Sequence, residues 1–240
     1  MYDICDIHSH VLPGMDDGCK TPEESALVLR QMWADGVKKV FATPHYYARE
    51  SVSDFLARRA ASEQRLRTYL AGMDEPLPAL CCGAEVAYFS CIGRCEQLEQ
   101  LCLGNSRYLL LELPFTPWSS QVVRDVNNLS LQGYIPILAH YERYTACQSR
   151  KMLQRMLESE PLVQMNAGCV LDLWKGPKAR AALAQHRVQL LGSDCHDMDS
   201  RPSRLGETVA LLQKKKMDGV LARIEQLGNE IFRKATADKV

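Results

Sequence analysis

Short apolar runs alternate along this chain with longer stretches in which apolar positions recur every three or four residues. The short runs are Tyr2 to Ile7, Lys39 to His45, Ala79 to Glu85, Tyr108 to Pro114, Ile135 to His140, Leu162 to Asn166 and Val188 to His196. Each is too short for a buried helix. Their apolar residues are nearly continuous, as in parallel strands covered on both faces. The intervening stretches read as helices. Thr21-Pro22-Glu23-Glu24 opens the first, with Thr21 as N-cap, Pro22 at N1 and Glu24 completing a capping box. Ala26, Val28, Leu29 and Met32 give it an apolar face, and Gly36 ends it. Ser53-Asp54 caps a second pattern that runs through Leu70. Further helices are expected at 94–103, 119–132, 146–159, 177–186, 203–216 and 218–234.

Seven strands in alternation with helices predict an α/β protein, and a distorted (β/α)7 TIM-like barrel fits the order better than an open sheet. Periodicity alone does not separate that barrel from a doubly wound sheet. No linker, repeat or low-complexity tract divides the 240 residues, so one domain over 1–240 is expected. Lys and Arg number 29 and Asp and Glu number 29, which leaves no basic stripe for nucleic acid. Lys214-Lys215-Lys216 reads as a solvated helix face. No apolar run approaches the ~18 residues that span a bilayer, so no membrane insertion is expected. No charged-then-apolar leader precedes the first strand, which points to the cytoplasm and to reduced thiols for the ten cysteines. The oligomeric state, a homo-oligomer included, stays open.

The chemistry gathers at the ends of the apolar runs. His8 and His10 stand two residues apart, so an extended backbone points both the same way. The loop after them brings Asp16 or Asp17 back over the same spot, and Asp17 is taken as the site residue. Later runs deliver His45, Glu85, Glu112, His140, and Asp194 with His196. Any one of these alone is more often hydrogen-bonded or ion-paired than metal-bound. Together they take up five of the six histidines, with His186 left over as structural. Burying so many carboxylates at one barrel mouth would cost several kcal/mol per ion without cations to neutralise them. The set is too large for one ion, so two or three divalent ions are implied. Imidazole and carboxylate without thiolate suit Mn, Fe, Zn, Co or Mg, with Mn preferred. Clustered divalent ions are equipment for phosphoester hydrolysis. Arg143, three residues past His140, and Arg201, five past His196, would hang over the same face and hold phosphate. Either could instead pair with a nearby carboxylate. Cys195 and Arg201 match the Cys-x5-Arg spacing of cysteine-dependent phosphatases. The loop between them has no glycine and carries Asp197 and Asp199, which would repel phosphate, so Cys195 is rejected as nucleophile.

Asp6-Ile7-His8-Ser9-His10 with Leu12-Pro13-Gly14-Met15-Asp16-Asp17-Gly18, Ala42-Thr43-Pro44-His45, Gly83-Ala84-Glu85, Leu111-Glu112-Leu113-Pro114, Ala139-His140 with Glu142-Arg143-Tyr144, and Ser193-Asp194 with His196 resemble the bacterial PHP-domain phosphatases. More narrowly they are similar to the CpsB/YwqE type of tyrosine-protein phosphatase, which regulates capsular and exopolysaccharide synthesis. The resemblance implies the PHP barrel and a trinuclear site. His8, His10, Glu85 and Asp194 would hold the first ion. Asp17, His45 and His196 would hold the second. Glu85, Glu112 and His140 would hold the third, with Glu85 bridging. Arg143 and Arg201 match the phosphate-contacting arginines, and Asp194 and His196 count as catalytic beside them. The implied reaction is hydrolysis of phosphotyrosine by metal-activated water, and the implied partner is the tyrosine-rich tail of a bacterial tyrosine kinase. Tyr46 stands where relatives often carry a second histidine and Tyr141 where they often carry proline, and both are expected at the pocket mouth. Two alternatives remain: a small-molecule phosphatase of the histidinol-phosphate type, and a catalytically silent metal-bearing binding module.

Overall fold

A computed structural model of the chain describes residues 2–238. Every strand pairing in it is parallel, and the strands run in a ring. One arc is ordered β1 (Ile4–Ser9), β2 (Val37–Ala42), β4 (Ala79–Cys82). The other is ordered β3 (His45–Tyr46), β5 (Glu85–Ala87), β6 (Tyr108–Glu112), β7 (Ile135–Leu138), β8 (Leu162–Asn166), β9 (Leu190–Gly192). β2 and β3 are two halves of one strand, interrupted where Pro44 lacks a donor. β4 and β5 are likewise two halves, interrupted at Gly83-Ala84. The ladder crosses these breaks through Gly83 N–H to Ala42 O at 2.9 Å and Glu85 N–H to Pro44 O at 3.1 Å. The ring closes between β9 and β1 through Asp194 N–H to His8 O at 2.9 Å and His10 N–H to Cys195 O at 2.8 Å. With each interrupted strand counted once, the described residues form a seven-stranded α/β barrel.

Its interior is filled from the strands by Cys5, Ile7, Phe41, Cys81, Leu110, Ile137, Ala139 and Leu190. The last helix, α9 (Asp218–Thr236), completes this layer with Ile231, Phe232 and Ala235. α9 covers the strands at their N-terminal ends: Asn105 N–H, just before β6, donates to Ala235 O at 2.8 Å. Gly104 lies at φ +54°, and a Cβ there would stand 2.3 Å from the same carbonyl, so only glycine allows the approach. Each fully buried large side chain in this layer contributes about 1.5–3 kcal/mol. The plug leaves only the C-terminal mouth open. A second, larger apolar layer lies between the strands and the outer helices.

The helices bear out most of the sequence pattern and depart from it in instructive places. In α1 (Pro22–Ala34) Thr21 accepts from Glu24 N–H at 3.3 Å, while the Glu24 carboxylate accepts from Lys20 N–H at 2.6 Å, one residue before the box expected. α2 (Val52–Leu70) is capped by Ser51, not Ser53; Ser51 Oγ accepts from Asp54 N–H at 3.1 Å. The helix expected over 94–103 is two short 3-10 turns, Ile92–Arg94 and Leu98–Leu101. Leu98 and Leu101, both fully buried, sit three apart, which puts them on one side of the 3-10 turn. α3 (Ser120–Leu131) lies within one residue of expectation, with Ser119 as its N-cap. The pattern at 146–159 is realised as α5 (Arg150–Leu157), which starts late because Ser149 caps it by accepting from Met152 N–H, while α4 (Tyr141–Cys147) lies almost wholly before that pattern and went unpredicted. α6 (Ala167–Leu171) went unpredicted; five residues are too few to show a period. α7 (Gly176–Ala184) and α8 (Leu205–Lys214) lie within about two residues of expectation. β1 starts and ends two residues later than its apolar run, since polar His8 and Ser9 stay in the strand. β9 stops at Gly192, so Asp194 and His196 lie beyond it.

Candidate metal centre

β1 carries one extra residue between Asp6 and Ser9 relative to β2. This bulge lets Ile7 fill the barrel while His8, its neighbour, faces the mouth. His140 and Asp194 are turned the same way by their backbones, at φ +54° and +55°, a left-handed conformation rare outside glycine and least costly for residues such as Asp, Asn and His. In the loop after β1, a Cβ on Gly18 would stand 2.2 Å from His10 O, so this glycine lets the loop fold back and deliver Asp16 and Asp17.

Glu85 lies at the centre, with no exposed surface. Its Oε2 is 3.1 Å from His8 Nε2, 3.3 Å from His10 Nε2 and 2.9 Å from His45 Nδ1. Its Oε1 is 2.8 Å from His140 Nε2, and Glu112 Oε1 approaches that nitrogen at 3.7 Å. Asp194 Oδ1 lies 3.7 Å from His8 Nε2 and 3.4 Å from His10 Nε2. On the outer side Asp17 Oδ1 lies 3.2 Å from His196 Nε2 and 3.6 Å from His45 Nε2. All nine residues singled out from the sequence as ligand candidates therefore meet at one mouth. Their donor atoms fall into overlapping groups: His10, Asp17, His45 and His196; His8, His140 and Asp194; His8, His10 and Glu85; His45, Glu85 and Glu112. His186 lies two residues past α7 and is in none of these groups.

The donor set fits divalent cations on a direct observation. Glu85 Oε2, His45 Nδ1 and His196 Nε2 are buried yet have no hydrogen-bond partner, although Glu85 Oε2 is crowded by three ring nitrogens. Unsatisfied groups of this kind are expensive unless something is bound between them. The surroundings keep the ligand atoms available. Burial works to raise the Glu85 pKa, but the close-set imidazoles of His8, His10, His140 and His45 outweigh it and hold the carboxyl well below the usual carboxylate range. Asp194 is held low in the same way, burial being outweighed by His10, His8 and His140. Burial and the charge on His10 push His196 down to about 4, which leaves its ring neutral. Glu112 is raised, by burial and by the negative charge of Glu85.

A second layer fixes the ring orientations: Asp16, the alternative to Asp17 in the sequence, belongs to it, and Gln164 and Asn166 were not foreseen as site residues. Asp16 Oδ2 accepts from His10 Nδ1 at 2.7 Å and from His45 N–H at 2.9 Å, so the two neighbouring carboxylates divide the work and Asp17 alone faces the donor cluster. Gln164 Oε1 accepts from His140 N–H at 3.0 Å and lies 3.4 Å from His8 Nδ1. Asn166 Oδ1 lies 2.9 Å from His140 Nδ1, and its Nδ2 donates to Asp194 Oδ2 at 2.8 Å. Bonds at Nδ1 place the proton there and leave Nε2 as a lone pair, the usual role of groups behind metal-bound imidazoles. The signal was present: Gln164 and Asn166 end an apolar run two residues apart, as His8 and His10 do, but amides do not read as ligands.

Both arginines sit on the rim and each pairs with a carboxylate of the site. Arg143 Nη2 donates to Asp194 Oδ2 at 3.1 Å, and Arg201 donates to Asp17. The two readings open in the sequence, ion pair and position over the mouth, thus hold together. Tyr46 and Tyr141 are not at the mouth. Both are buried, Tyr46 packing edge-on to Phe55, because each points back into the layer between barrel and helices. Tyr47 and Phe115 are the exposed aromatics near the site, with ring centroids 5.5 Å from His45 and 6.2 Å from His140. Cys195 is buried, and burial together with the Asp6 charge pushes its thiol well up, so it supplies no thiolate. The N–H groups of Asp199, Ser200 and Arg201, which a phosphate loop would aim at its ligand, all donate to Asp197 Oδ1.

The fold and site define a class: a parallel α/β barrel with a mouth of imidazoles and carboxylates built to hold divalent cations. Residues 4–230 match the family described as capsular polysaccharide synthesis, CpsB/CapC, and the chain belongs to that family. It is 28% identical over 223 residues to the tyrosine-protein phosphatase CpsB of Streptococcus pneumoniae, covering 88% of this chain and 90% of that protein. It is also 28% identical over 221 residues to the tyrosine-protein phosphatase YwqE of Bacillus subtilis, covering 88% and 85%. The fold is shared with a solved structure described as YwqE from Bacillus subtilis and CpsB from Streptococcus pneumoniae, unique metal-dependent tyrosine phosphatases. The TM-score is 0.83 at 23% identity, covering 99% of this chain and 97% of that one. Among the described residues no helix is long and apolar enough to cross a membrane.

Proposed function

We propose that this chain is a metal-dependent phosphoric monoester hydrolase that removes phosphate from tyrosine in protein. On this reading its substrate is the tyrosine-rich tail of a bacterial tyrosine kinase that regulates capsular or exopolysaccharide synthesis, and it works in the cytoplasm as one domain. The observation that carries the reading is Glu85: a carboxylate with no exposed surface, its oxygens among the nitrogens of His8, His10, His45 and His140. The CpsB and YwqE relatives, named tyrosine-protein phosphatases, support the substrate class.

His8, His10, Glu85 and Asp194 would hold one ion, Asp17, His45 and His196 a second, and Glu85, Glu112 and His140 a third. Mn is the preferred metal, with Fe, Zn, Co and Mg as the other candidates for such oxygen and nitrogen donors. Bound there, the ions would supply Lewis acidity and lower the pKa of water. The remaining work falls to the protein. Arg143 and Arg201 take the phosphoryl oxygens and stabilise the charge that grows on them. Each is already held over the mouth by Asp194 or Asp17, so little reorganisation precedes binding. Asp194 therefore acts twice, as a metal-holding group and as the group that places Arg143, and His196 adds a backbone N–H donated to Arg201 O at 2.9 Å. The leaving phenolate has a pKa of about 10, so the demand for a general acid is modest. Cys195 takes no part, and no phosphoenzyme forms.

The test is turnover of a phosphotyrosyl peptide against histidinol phosphate, before and after chelation and again after Mn is restored. Metal-dependent hydrolysis favouring the peptide is expected. Preference for histidinol phosphate would make the chain a small-molecule phosphatase, and absence of any hydrolysis with Mn present would leave a binding module.

A further inference from the structure

Phe115 and Tyr47 are large aromatic residues left 43% and 39% exposed, and both border the site. Tyr47 follows β3 and Phe115 lies three residues past β6. These strands flank β5, which carries Glu85. Neighbouring strands lie ~4.8 Å apart, so the two segments leave the barrel roughly 10 Å apart on either side of Glu85. An aromatic ring held between two others at van der Waals distance needs roughly 7 Å between the outer rings. The two rings stand on the two sides of that gap, Tyr47 5.5 Å from the His45 ring and Phe115 6.2 Å from the His140 ring.

Both side chains are supported from behind. Phe115 stacks on the fully buried Tyr144, with centroids 5.8 Å apart and planes at 27°. The Arg143 guanidinium lies 5.3 Å from the Phe115 ring centre, so a phosphate held by Arg143 sets its ester substituent beside this ring. Tyr47 carries Arg49 at 5.0 Å from its ring centre. Solvent exposure of two supported rings at the rim of a polar site has no packing benefit in the free protein.

We infer that Tyr47 and Phe115 form an aromatic clamp that selects aryl over alkyl phosphate monoesters by stacking on the ring that bears the phosphate. The inference rests on the phosphatase reading above and deepens it, assigning substrate preference to two residues outside the donor set. An alkyl ester such as phosphoserine offers the clamp no flat face. Phosphotyrosine, in a peptide or free, fills it.

The experiment compares kcat/KM for phosphotyrosine and for phosphoserine in the Mn-loaded wild type and in Tyr47→Ala, Phe115→Ala, Tyr47→Phe and Phe115→Tyr. The clamp predicts that the ratio of aryl to alkyl turnover falls about tenfold in each alanine variant, mostly through KM for the aryl ester, and returns in Tyr47→Phe and Phe115→Tyr. A ratio that stays at the wild-type value, whether or not both rates drop, overturns the clamp and leaves the phosphatase reading standing. Failure of the wild type to hydrolyse either ester overturns the phosphatase reading and the clamp with it.

Discussion

Asn166 Oδ1 lies 2.9 Å from His140 Nδ1, and the other ring nitrogen of His140 then lies 2.8 Å from Glu85. The same amide donates to Asp194 Oδ2 at 2.8 Å. One side chain from β8, the strand that supplies no ligand candidate, thus orients two groups of the metal centre. Asn166→Ala removes both bonds without touching a donor atom. Metal affinity, read by titrating the chelated protein, is expected to fall about 10- to 100-fold, with secondary structure by circular dichroism unchanged.

Arg143 and Arg201 are expected to act on the phosphoryl group rather than on stability. Removing one preorganised donor to a developing anion lowers turnover by about 10²–10³-fold, and Arg143→Ala is expected to fall in that range in kcat/KM. Arg143→Lys keeps the charge but loses the two-pronged geometry, and should recover only part of the loss. Steady-state kinetics on phosphotyrosyl peptide checks both. Wild-type kinetics in Arg143→Ala would show that the arginine serves only its ion pair with Asp194.

Cys195→Ala is expected to keep activity within about threefold, since a buried thiol in its neutral form contributes packing and no chemistry. A deep loss of kcat, with phosphate trapped on the wild-type cysteine, would restore the thiol mechanism that the Asp197 hydrogen bonds argue against.

Thr21→Ala removes the side-chain acceptor of the Glu24 N–H at the start of α1, away from the chemistry. A cap of this kind is worth about 1 kcal/mol, which for a chain of this size lowers Tm by about 2–4 °C. Thermal unfolding measures the shift, and kcat is expected to stay put.

The barrel was legible because its strands are buried on both faces and so read as apolar runs, and because a capping residue such as Thr21 marks a helix start in the sequence. Element edges were less legible where polar residues are buried for the site's sake. β1 continues through His8 and Ser9, which an apolar criterion stops short of. The donor set was legible because imidazoles and carboxylates at the ends of successive strands must share a mouth if the sheet closes. Its supports were not. Asp16 and Asp17 are neighbours of one chemical type, and only the fold of their loop assigns one to His10 and the other to the donor cluster. Tyr46 and Tyr47 pose the same problem, and backbone direction after His45 buries the first and exposes the second. Such choices depend on which way one side chain turns, and adjacent residues in a sequence do not record it.

The central claim is that Glu85 sits at the middle of a cage of divalent ions. The most direct measurement is the metal content of the purified wild type and of Glu85→Gln, determined by elemental analysis alongside phosphatase turnover. The account predicts more than one ion per wild-type chain, fewer in Glu85→Gln, and activity lost in step with the metal. Full turnover by a wild-type preparation stripped of metal, or unchanged metal content in Glu85→Gln, would contradict it.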